Sequence, residues 1–447
     1  MAFTQDQTIS ISYQKPANYN MITGTYRTLK LGVWAYFLLL IFEGALRKWV
    51  LPGLATPLLL IRDPVAIGLL IMSIHRGIVK PNYYMISMVI IGIISINTAF
   101  LFGHGSIPVA FYGARAILFH FPFIFVIGKV FNRANVITLG KIMLWLSIPM
   151  TLLIAVQFYS PQSAWINRGI GGDTAGAGFS GALGYFRPPG TFSFTNGNTL
   201  FYGLLASFVF YFWLDPKQAN RILLLSATAA LLIAIPLSIS RGLFFQTGVA
   251  FVFAIVAASR KPQYFSKMIF AVVAAIIAFI ILSKTNFFHT GTQAFTSRFE
   301  TASDQEGGVK GSLGGRYLGG LINELFSSIN QPFFGYGSGM GTNVGSTLLV
   351  GNQGYLIAEG EWGRLIGELG PLLGLWVIYL RTSLTVRLAI ASYKRLVSSD
   401  LLPWFLLSFA ALALPQGQWA QPTALGFSIL IGGLMIASFN QSGKEQA

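Results

Sequence analysis

The stretch from Tyr83 to Phe102, YYMISMVIIGIISINTAFLF, decides the fold class. It contains no charged residue, and about 20 apolar residues in a helix are enough to cross the hydrocarbon core of a bilayer. Similar apolar stretches recur along the chain, and we expect a single transmembrane domain over residues 1–447. The sequence therefore predicts an all-α polytopic membrane protein with about twelve transmembrane helices. The predicted spans are Leu31–Val50, Thr56–Ile74, Tyr83–Phe102, Val109–Gly128, Val136–Tyr159, Asn198–Leu214, Ile222–Ile239, Leu243–Ala258, Met268–Leu282, Trp362–Tyr379, Leu402–Leu414 and Thr423–Phe439.

Composition excludes a soluble enzyme. Of 447 residues, 54% are hydrophobic and 10% are charged, whereas a soluble chain carries roughly 25% charge. The net charge of +16 would be compatible with nucleic-acid binding, but that function needs basic clusters on a water-exposed face. Here the cations lie in ones, twos and threes between apolar runs. We therefore expect a lipid bilayer, and no nucleic acid, as partner.

The distribution of cations predicts the orientation. With both termini in the cytoplasm, eighteen of the 30 Lys and Arg fall on cytoplasmic segments, Arg381 among them, together with four of the 14 acids. Every short cytoplasmic connection then carries cations, as the positive-inside rule requires. The first thirty residues are polar and do not resemble a secretory signal peptide.

Two long connections are predicted on the extracytoplasmic side, at residues 160–197 and 286–358. They hold 24 of the 49 glycines, and long Gly-rich connections are either linkers or shaped functional loops. In the second loop, apolar residues from Leu318 to Ile329 repeat at helical spacing. This spacing predicts a short amphipathic helix, which lies on the membrane surface or packs on its neighbours.

Charges at the predicted outer leaflet are candidates for function, because a charge at membrane depth is costly unless it is paired or wet. Arg outnumbers Lys in this set, and a guanidinium is suited to bidentate binding of phosphate. The candidate phosphate ligands are Arg47, Arg187, Arg241, Arg316 and Arg364. An alternative applies to some of them, since Glu43 and Arg47, or Glu361, Arg364 and Glu368, have the spacing of structural helix pairs.

Two carboxylates at the entry of the tenth predicted span are candidate bases. Glu359 precedes the helix, and Glu361 lies near its start. Desolvation beside a membrane raises the pKa of a carboxylate, so that it can accept a proton near neutral pH. The alternative for Glu359 is a favourable interaction with the helix N-terminus.

At these residues the chain resembles the O-antigen polymerase and O-antigen ligase superfamily of bacterial membrane glycosyltransferases. The resemblance rests on Phe186–Phe192 (FRPPGTF), Ser240–Gly242 (SRG), Gln331–Gly339 (QPFFGYGSG) and Glu359–Gly374 (EGEWGRLIGELGPLLG). It covers under half of the chain. Ligases of this superfamily usually carry His and then Asn where this chain has Glu359 and Gly360, and this difference favours a polymerase.

The resemblance implies the membrane glycosyltransferase C-type fold in a bacterial cytoplasmic (inner) membrane. It implies transfer of glycan from a polyprenyl-pyrophosphate-linked oligosaccharide to an acceptor sugar hydroxyl at the outer face, with inversion and without metal or cofactor. Glu359, or Glu361 as second choice, would be the base. Arg241, Arg187 and Arg316, with Arg364 and Arg47, would bind the pyrophosphate, and a chain-length regulator is an expected partner. The alternatives are an O-antigen ligase acting on a lipid A core or another terminal acceptor, and a lipid-linked sugar transporter.

Overall fold

A computed structural model describes residues 17–260, 262–306, 324–326, 331–351, 357–358 and 360–440. These residues are mainly helical, because a segment in lipid must satisfy its backbone hydrogen bonds internally. The first helices are α1 Ala17–Ala45, α2 Arg62–His75, α3 Tyr83–Leu101, α4 Ile107–Arg115, α5 Phe121–Val130 and α6 Arg133–Tyr159. A hairpin of β1 Phe179–Ala182 and β2 Tyr185–Arg187 follows. The remaining helices are α7 Asn196–Leu214, α8 Arg221–Leu237, α9 Arg241–Ser259, α10 Pro262–Ser283, α11 Asn286–Glu306, α12 Asn343–Val350, α13 Glu361–Val397, α14 Leu402–Gln416 and α15 Pro422–Ser438.

Eight helical segments in the described part of the chain are long and apolar enough to cross a membrane, which confirms the class of all-α polytopic membrane protein. They are Gly24–Val50, Pro52–His75, Tyr83–Leu101, Ile107–Val130, Arg133–Tyr159, Asn196–Leu214, Arg241–Ser259 and Glu361–Val397. Helices also occupy the other four predicted positions, but α8, α14 and α15 are shorter, and several side chains of α10 are not described. The count of twelve stays a prediction.

Two of the spans contain a π-helical turn where charged side chains are buried. Leu46–Val50 extends α1 in this conformation, and Ala116–His120 joins α4 to α5. A π-turn inserts an extra residue into a helix and is common at functional sites. Arg47 and Lys48 are buried in the first turn, and His120 ends the second. Both turns therefore aim polar side chains into the bundle.

Helix α13 is a hairpin of two arms. Gly370 interrupts it with φ 77° and ψ 166°, a conformation that is accessible essentially to glycine. Residues 361–369 form the short arm and residues 371–397 the long arm. A Cβ on Gly374 would lie 2.7 Å from the Cα of Ile366, so the two arms run side by side. The predicted span Trp362–Tyr379 is therefore wrong as one continuous helix, because the chain reverses at Gly370, and within Glu361–Val397 the long arm is the part that can cross a membrane.

The segment 333–341 covers the end of the short arm. The backbone N–H groups of Tyr336 and Gly337 donate to the carbonyls of Gly367 and Glu368, at 2.8 and 3.0 Å. These carbonyls lie in the last turn of the short arm, where a helix leaves its carbonyls without intrahelical partners. The close approach requires glycine at Gly335, whose φ is 70° and whose added Cβ would lie 2.5 Å from the Glu368 carbonyl oxygen. The QPFFGYGSG stretch is thus a cap on the hairpin.

The two long connections are structured where the structure describes them. Residues 160–197 form 3₁₀ turns at Trp165–Asn167 and Ile170–Gly172 and the β1–β2 hairpin, in which Phe179 pairs with Arg187. Much of the first third of 286–358 is helix α11. The predicted amphipathic helix is described only at residues 324–326, which are helical. The rest of that prediction lies outside the described residues.

Candidate functional site

Three arginines from separate elements converge at one end of the bundle, and we call Arg187, Arg241 and Arg298 the arginine cluster. Arg187 ends β2, Arg241 is the first residue of α9, and Arg298 belongs to α11. Packing of aromatic rings brings α9 and α11 together: the Phe244 ring centroid lies 6.0 Å from that of Phe295 and 5.7 Å from that of Phe299. Strand β1, paired with β2, packs on α11 as well.

The positive charges of Arg241 and Arg298 act on Arg187 within the arginine cluster. Burial, together with the positive charges of Arg298 and Arg241, lowers the pKa of the Arg187 guanidinium below its ordinary value. The Nε of Arg187 is buried and has no hydrogen-bond partner among the described residues. Like charges held close together repel, and an anion between them would relieve that repulsion. Guanidinium groups also supply the fork geometry that binds phosphate oxygens bidentately. The arrangement suits a phosphate or pyrophosphate group.

The N-termini of α7 and α9 meet beside the arginine cluster. Ser240 caps α9 by accepting from the backbone N–H of Leu243 at 3.3 Å, and its Oγ lies 2.9 Å from the Thr199 Oγ1 in the first turn of α7. Ile239 adopts a φ of 47° just before the cap, which makes the entry to α9 sharp. A helix N-terminus carries partial positive charge and favours anions. The two helix starts therefore add to the field of the arginines.

Buried polar contacts hold the segment that follows Arg187. The Lys48 ammonium donates to the carbonyls of Gly190 and Phe192 at 2.6 and 2.8 Å, and the Gly190 N–H donates to the Gln157 side chain at 2.7 Å. Gly190 has a φ of 62°, and a Cβ there would lie 2.6 Å from the Asn198 side-chain oxygen. The FRPPGTF stretch is thus fixed to α1, α6 and α7, and it sets the position of Arg187.

Arg47 is placed beside the same segment but is engaged in other contacts. It forms an ion pair with Glu43 at 3.3 Å and donates to the Ser193 hydroxyl at 3.0 Å and to the Ala55 carbonyl at 2.7 Å. Its guanidinium is buried. Glu43 also accepts from Arg62 at 2.9 Å. These contacts indicate a structural role for Arg47. The structure does not bring Arg47, a predicted pyrophosphate ligand, together with the arginine cluster.

Glu361 and Arg364 form a buried ionic network in the α13 hairpin. Glu361 accepts from Arg364 at 3.0 Å and from Arg381 at 2.6 Å, and it also accepts the Trp419 N–H at 3.2 Å. Arg364 pairs in addition with Glu368 at 2.6 Å. Both Glu361 oxygens are thus occupied by donors that hold its charge. This geometry favours structural roles for Glu361 and Arg364 over the predicted roles as base and pyrophosphate ligand.

The contact of Arg381 with Glu361 corrects the predicted separation of these two residues. The sequence assigns Arg381 to the cytoplasmic side and Glu361 to the outer side, yet the two are in contact. At about 1.5 Å per residue, Arg381 lies roughly 24 Å along the long arm from Val397. The prediction that Glu361 and Arg381 lie on opposite sides of the membrane is therefore wrong, because the turn at Gly370 folds Glu361 back along the helix. The orientation of the chain stays a prediction.

Glu359 and Arg316 lie outside the described residues. A carboxylate that sequence reasoning missed, Glu324, lies at the start of the α13 short arm. Glu324 accepts the backbone N–H of Gly363 at 3.0 Å, and its Oε1 would lie 1.5 Å from a Cβ on Gly360. Burial raises the pKa of the Glu324 carboxyl above its ordinary value. The feature of the sequence that could have indicated Glu324 is an acidic residue within the predicted amphipathic helix.

Arg298 was also missed as a site residue. It lies in the connection 286–358, and the sequence predicts a loop in the part of this connection that precedes the amphipathic helix. Apolar aromatic residues at positions 295 and 299, four residues apart, mark one face of a helix, and this spacing could have indicated that Arg298 is held on a packed element.

Comparisons with known proteins do not identify the chain. No protein-family model matches it, and neither the curated proteins nor the solved structures yield a match. The resemblance to the O-antigen polymerase and ligase superfamily therefore stays a prediction from short sequence motifs.

Proposed function

We propose that the protein is a membrane glycosyltransferase that polymerises glycan from a polyprenyl-pyrophosphate donor at the outer face of the cytoplasmic membrane. An acceptor sugar hydroxyl attacks the anomeric carbon of the donor. The bond from that carbon to the pyrophosphate oxygen breaks, the electron pair leaves with the pyrophosphate, and a carboxylate takes the hydroxyl proton. Direct displacement inverts the anomeric centre.

The observation that carries the proposal is the arginine cluster. The leaving pyrophosphate gains negative charge in the transition state, and fixed cations at that position lower the barrier. Arg187 and Arg241 come from two of the motifs on which the family resemblance rests, and they are neighbours in space. Arg298 adds a third cation, and the N-termini of α7 and α9 add dipoles of the same sign. Each of these features favours a pyrophosphate group.

The proposed base is a carboxylate near the start of the α13 short arm. Glu359 remains the first candidate from sequence, and Glu324 becomes the second, because it is held at the N–H of Gly363 and burial raises its pKa. A raised pKa moves a carboxylate towards neutral pH, where it accepts a proton most effectively. Glu361 is the weakest of the three candidates, since two arginines hold its charge.

The test is transfer in vitro. Purified protein in nanodiscs is given lipid-linked oligosaccharide repeats, and growth of glycan on the carrier is followed by gel electrophoresis. We expect Arg187→Ala and Arg241→Ala each to lower the rate by about 10- to 100-fold, the effect of a lost charge-assisted contact. Arg168→Ala is the matched control, because it removes an arginine from the same connection that is not among the charges acting on Arg187. Full polymerisation by both Arg187 and Arg241 variants would overturn the proposal.

A second candidate function is transport of a lipid-linked sugar, and the interrupted helix α13 favours it. Transporters commonly form their substrate sites with helices broken inside the membrane, and Gly370 breaks α13. The same nanodisc preparation separates the two functions, because a transporter leaves glycan length unchanged. In sealed vesicles it would instead move a fluorescent lipid-linked sugar between leaflets.

A further inference from the structure

A cavity of about 880 Å³ lies at the end of the bundle opposite to the arginine cluster. Helix α6 relates the two positions. It starts at Arg133, just after the cavity residue Lys129, and ends at Tyr159, whose ring centroid lies 6.4 Å from that of Tyr185 in β2. A helix of 27 residues is about 40 Å long. The cavity and the arginine cluster are therefore on opposite faces of the membrane.

The cavity is built from fixed elements. After α2, the N–H groups of Ile78 and Val79 both donate to the Ser73 carbonyl, at 2.9 and 3.2 Å, which holds the turn before Lys80. On the other side, the Asn440 side chain donates to the Gly128 carbonyl at 2.7 Å, so the ends of α5 and α15 are joined. Hydrogen bonds within the protein thus hold two of the cavity walls.

The cavity lining combines cations with apolar side chains. Arg76, Lys80 and Lys129 line it, and none of the described lining residues is acidic. Ile78, Phe125, Val79 and Ile436 supply apolar walls. Basic pockets between transmembrane helices at the cytoplasmic surface bind the head groups of anionic lipids. The ligand indicated by this lining has a negatively charged phosphate and an apolar chain.

We propose that this cavity binds the head group of an anionic phospholipid, with Lys80 and Lys129 contacting the phosphate and the apolar walls contacting the start of the acyl chains. Charge complementarity selects the anionic lipid over a zwitterionic one. The location at helix ends places the phosphate at head-group depth. This site does not depend on the proposed glycosyl transfer, and its test does not measure that activity.

The experiment compares lipid retention by native mass spectrometry. Purified full-length protein in detergent is titrated with dioleoyl phosphatidylglycerol or dioleoyl phosphatidylcholine, and bound lipids are counted. We expect tight binding of phosphatidylglycerol alone. The double variant Lys80→Gln/Lys129→Gln should weaken it by roughly 25-fold, since each cation near a lipid phosphate contributes about a fivefold effect. Ile78→Trp should also weaken it, because it fills the cavity while keeping every charge.

The matched control is Lys217→Gln/Arg221→Gln, which removes the same charge from the connection before α8 at the same end of the bundle. This control should retain wild-type binding. Equal loss in the control and the cavity variant would overturn the proposal, as would equal binding of phosphatidylcholine. Displacement of the lipid by millimolar inorganic phosphate would assign the site to a soluble anion. If phosphatidylglycerol bound only after removal of residues 1–16, the cavity would be assigned to that segment of the chain, and the proposal would be overturned.

Discussion

Arg381 donates from Nη1 to Glu361 Oε1 at 2.6 Å, although twenty positions separate the two residues in helix α13. In a straight helix that separation would be about 30 Å. The contact exists because Gly370 reverses the chain, and it lies in the interior, where both side chains are almost fully buried. The remaining Arg381 donors bond to the carbonyls of Leu414 and Gly417 at 2.8 and 2.7 Å. Arg381 therefore ties the hairpin to the end of α14.

Arg381→Ala is expected to destabilise the protein strongly. Removing one partner of a buried ion pair leaves the other charge uncompensated, which costs about 3–5 kcal/mol. The measurement is the thermal unfolding midpoint of purified protein in detergent, followed by tryptophan fluorescence. Arg133→Ala provides the comparison, because Arg133 pairs with Asp400 at the same 2.6 Å but is partly exposed. A pair nearer to solvent contributes less, towards the roughly 0–1 kcal/mol of a surface pair, so the shift in Arg133→Ala should be smaller. Equal shifts in the two variants would contradict the assignment of the Glu361 network to the core.

Gly370→Ala is expected to disrupt the α13 hairpin. A Cβ at this position would lie 2.0 Å from the Phe333 carbonyl oxygen, and the φ of 77° is strained for any other residue. We expect a lower unfolding midpoint and faster hydrogen exchange in the short arm and in residues 333–341. Gly248→Ala in α9 is the matched control, since nothing lies within 4 Å of its added Cβ. Alanine is favoured over glycine in a helix by up to about 1 kcal/mol. A Gly370 variant as stable as this control would show that the turn tolerates a side chain.

Local spacing predicted part of the ionic structure and missed the rest for a physical reason. Glu361, Arg364 and Glu368 lie on one helical face by their spacing, and they do pair. The contact with Arg381 depends on a chain reversal at a single glycine, which the periodicity of apolar residues does not reveal. Lys48 is a second example, since its ammonium donates to the Gly190 and Phe192 carbonyls. No local pattern relates it to carbonyls more than 140 positions away.

Lys48→Met is expected to loosen the segment that carries Arg187. It removes two hydrogen bonds, to the carbonyls of Gly190 and Phe192, and bonds from charged donors contribute about 1.5–3 kcal/mol each. Methionine preserves the length of the side chain, so the loss is mainly polar. Hydrogen exchange should increase at Thr191–Ser193 and remain unchanged in α15. Lys217→Met, at an exposed position, should alter neither. Unchanged protection in the Lys48 variant would mean that the other contacts of the segment, such as those of Gln157 and Arg47, hold it without Lys48.

Glu324→Gln is expected to change how stability depends on pH. Burial raises the pKa of the folded Glu324 carboxyl above the 4.5 of the free group, so the folded state favours the protonated form. The favourable contribution is complete below the unfolded pKa and is lost as the pH rises through the folded pKa. Glutamine resembles the protonated carboxyl, so the variant should gain in unfolding midpoint over the wild type as the pH rises from 4 to 8. Glu300→Gln, on the exposed face of α11, should give a difference that does not vary with pH. A constant difference for Glu324→Gln would contradict the burial of this carboxylate.

Arg298→Ala tests whether the third member of the arginine cluster contributes to anion binding. Its charge acts on Arg187 from α11, so its removal should weaken binding of a polyprenyl pyrophosphate by about 10- to 100-fold, as expected for one charge-assisted contact. Binding is measured by microscale thermophoresis in nanodiscs at fixed salt, with polyprenyl monophosphate as a second ligand. The loss should be larger for the pyrophosphate, because it carries more charge. Arg298→Lys should restore part of the affinity, since it keeps the charge and loses the bidentate fork. Wild-type affinity in Arg298→Ala would mean that α11 does not contribute to the site and that Arg187 and Arg241 bind the anion without it.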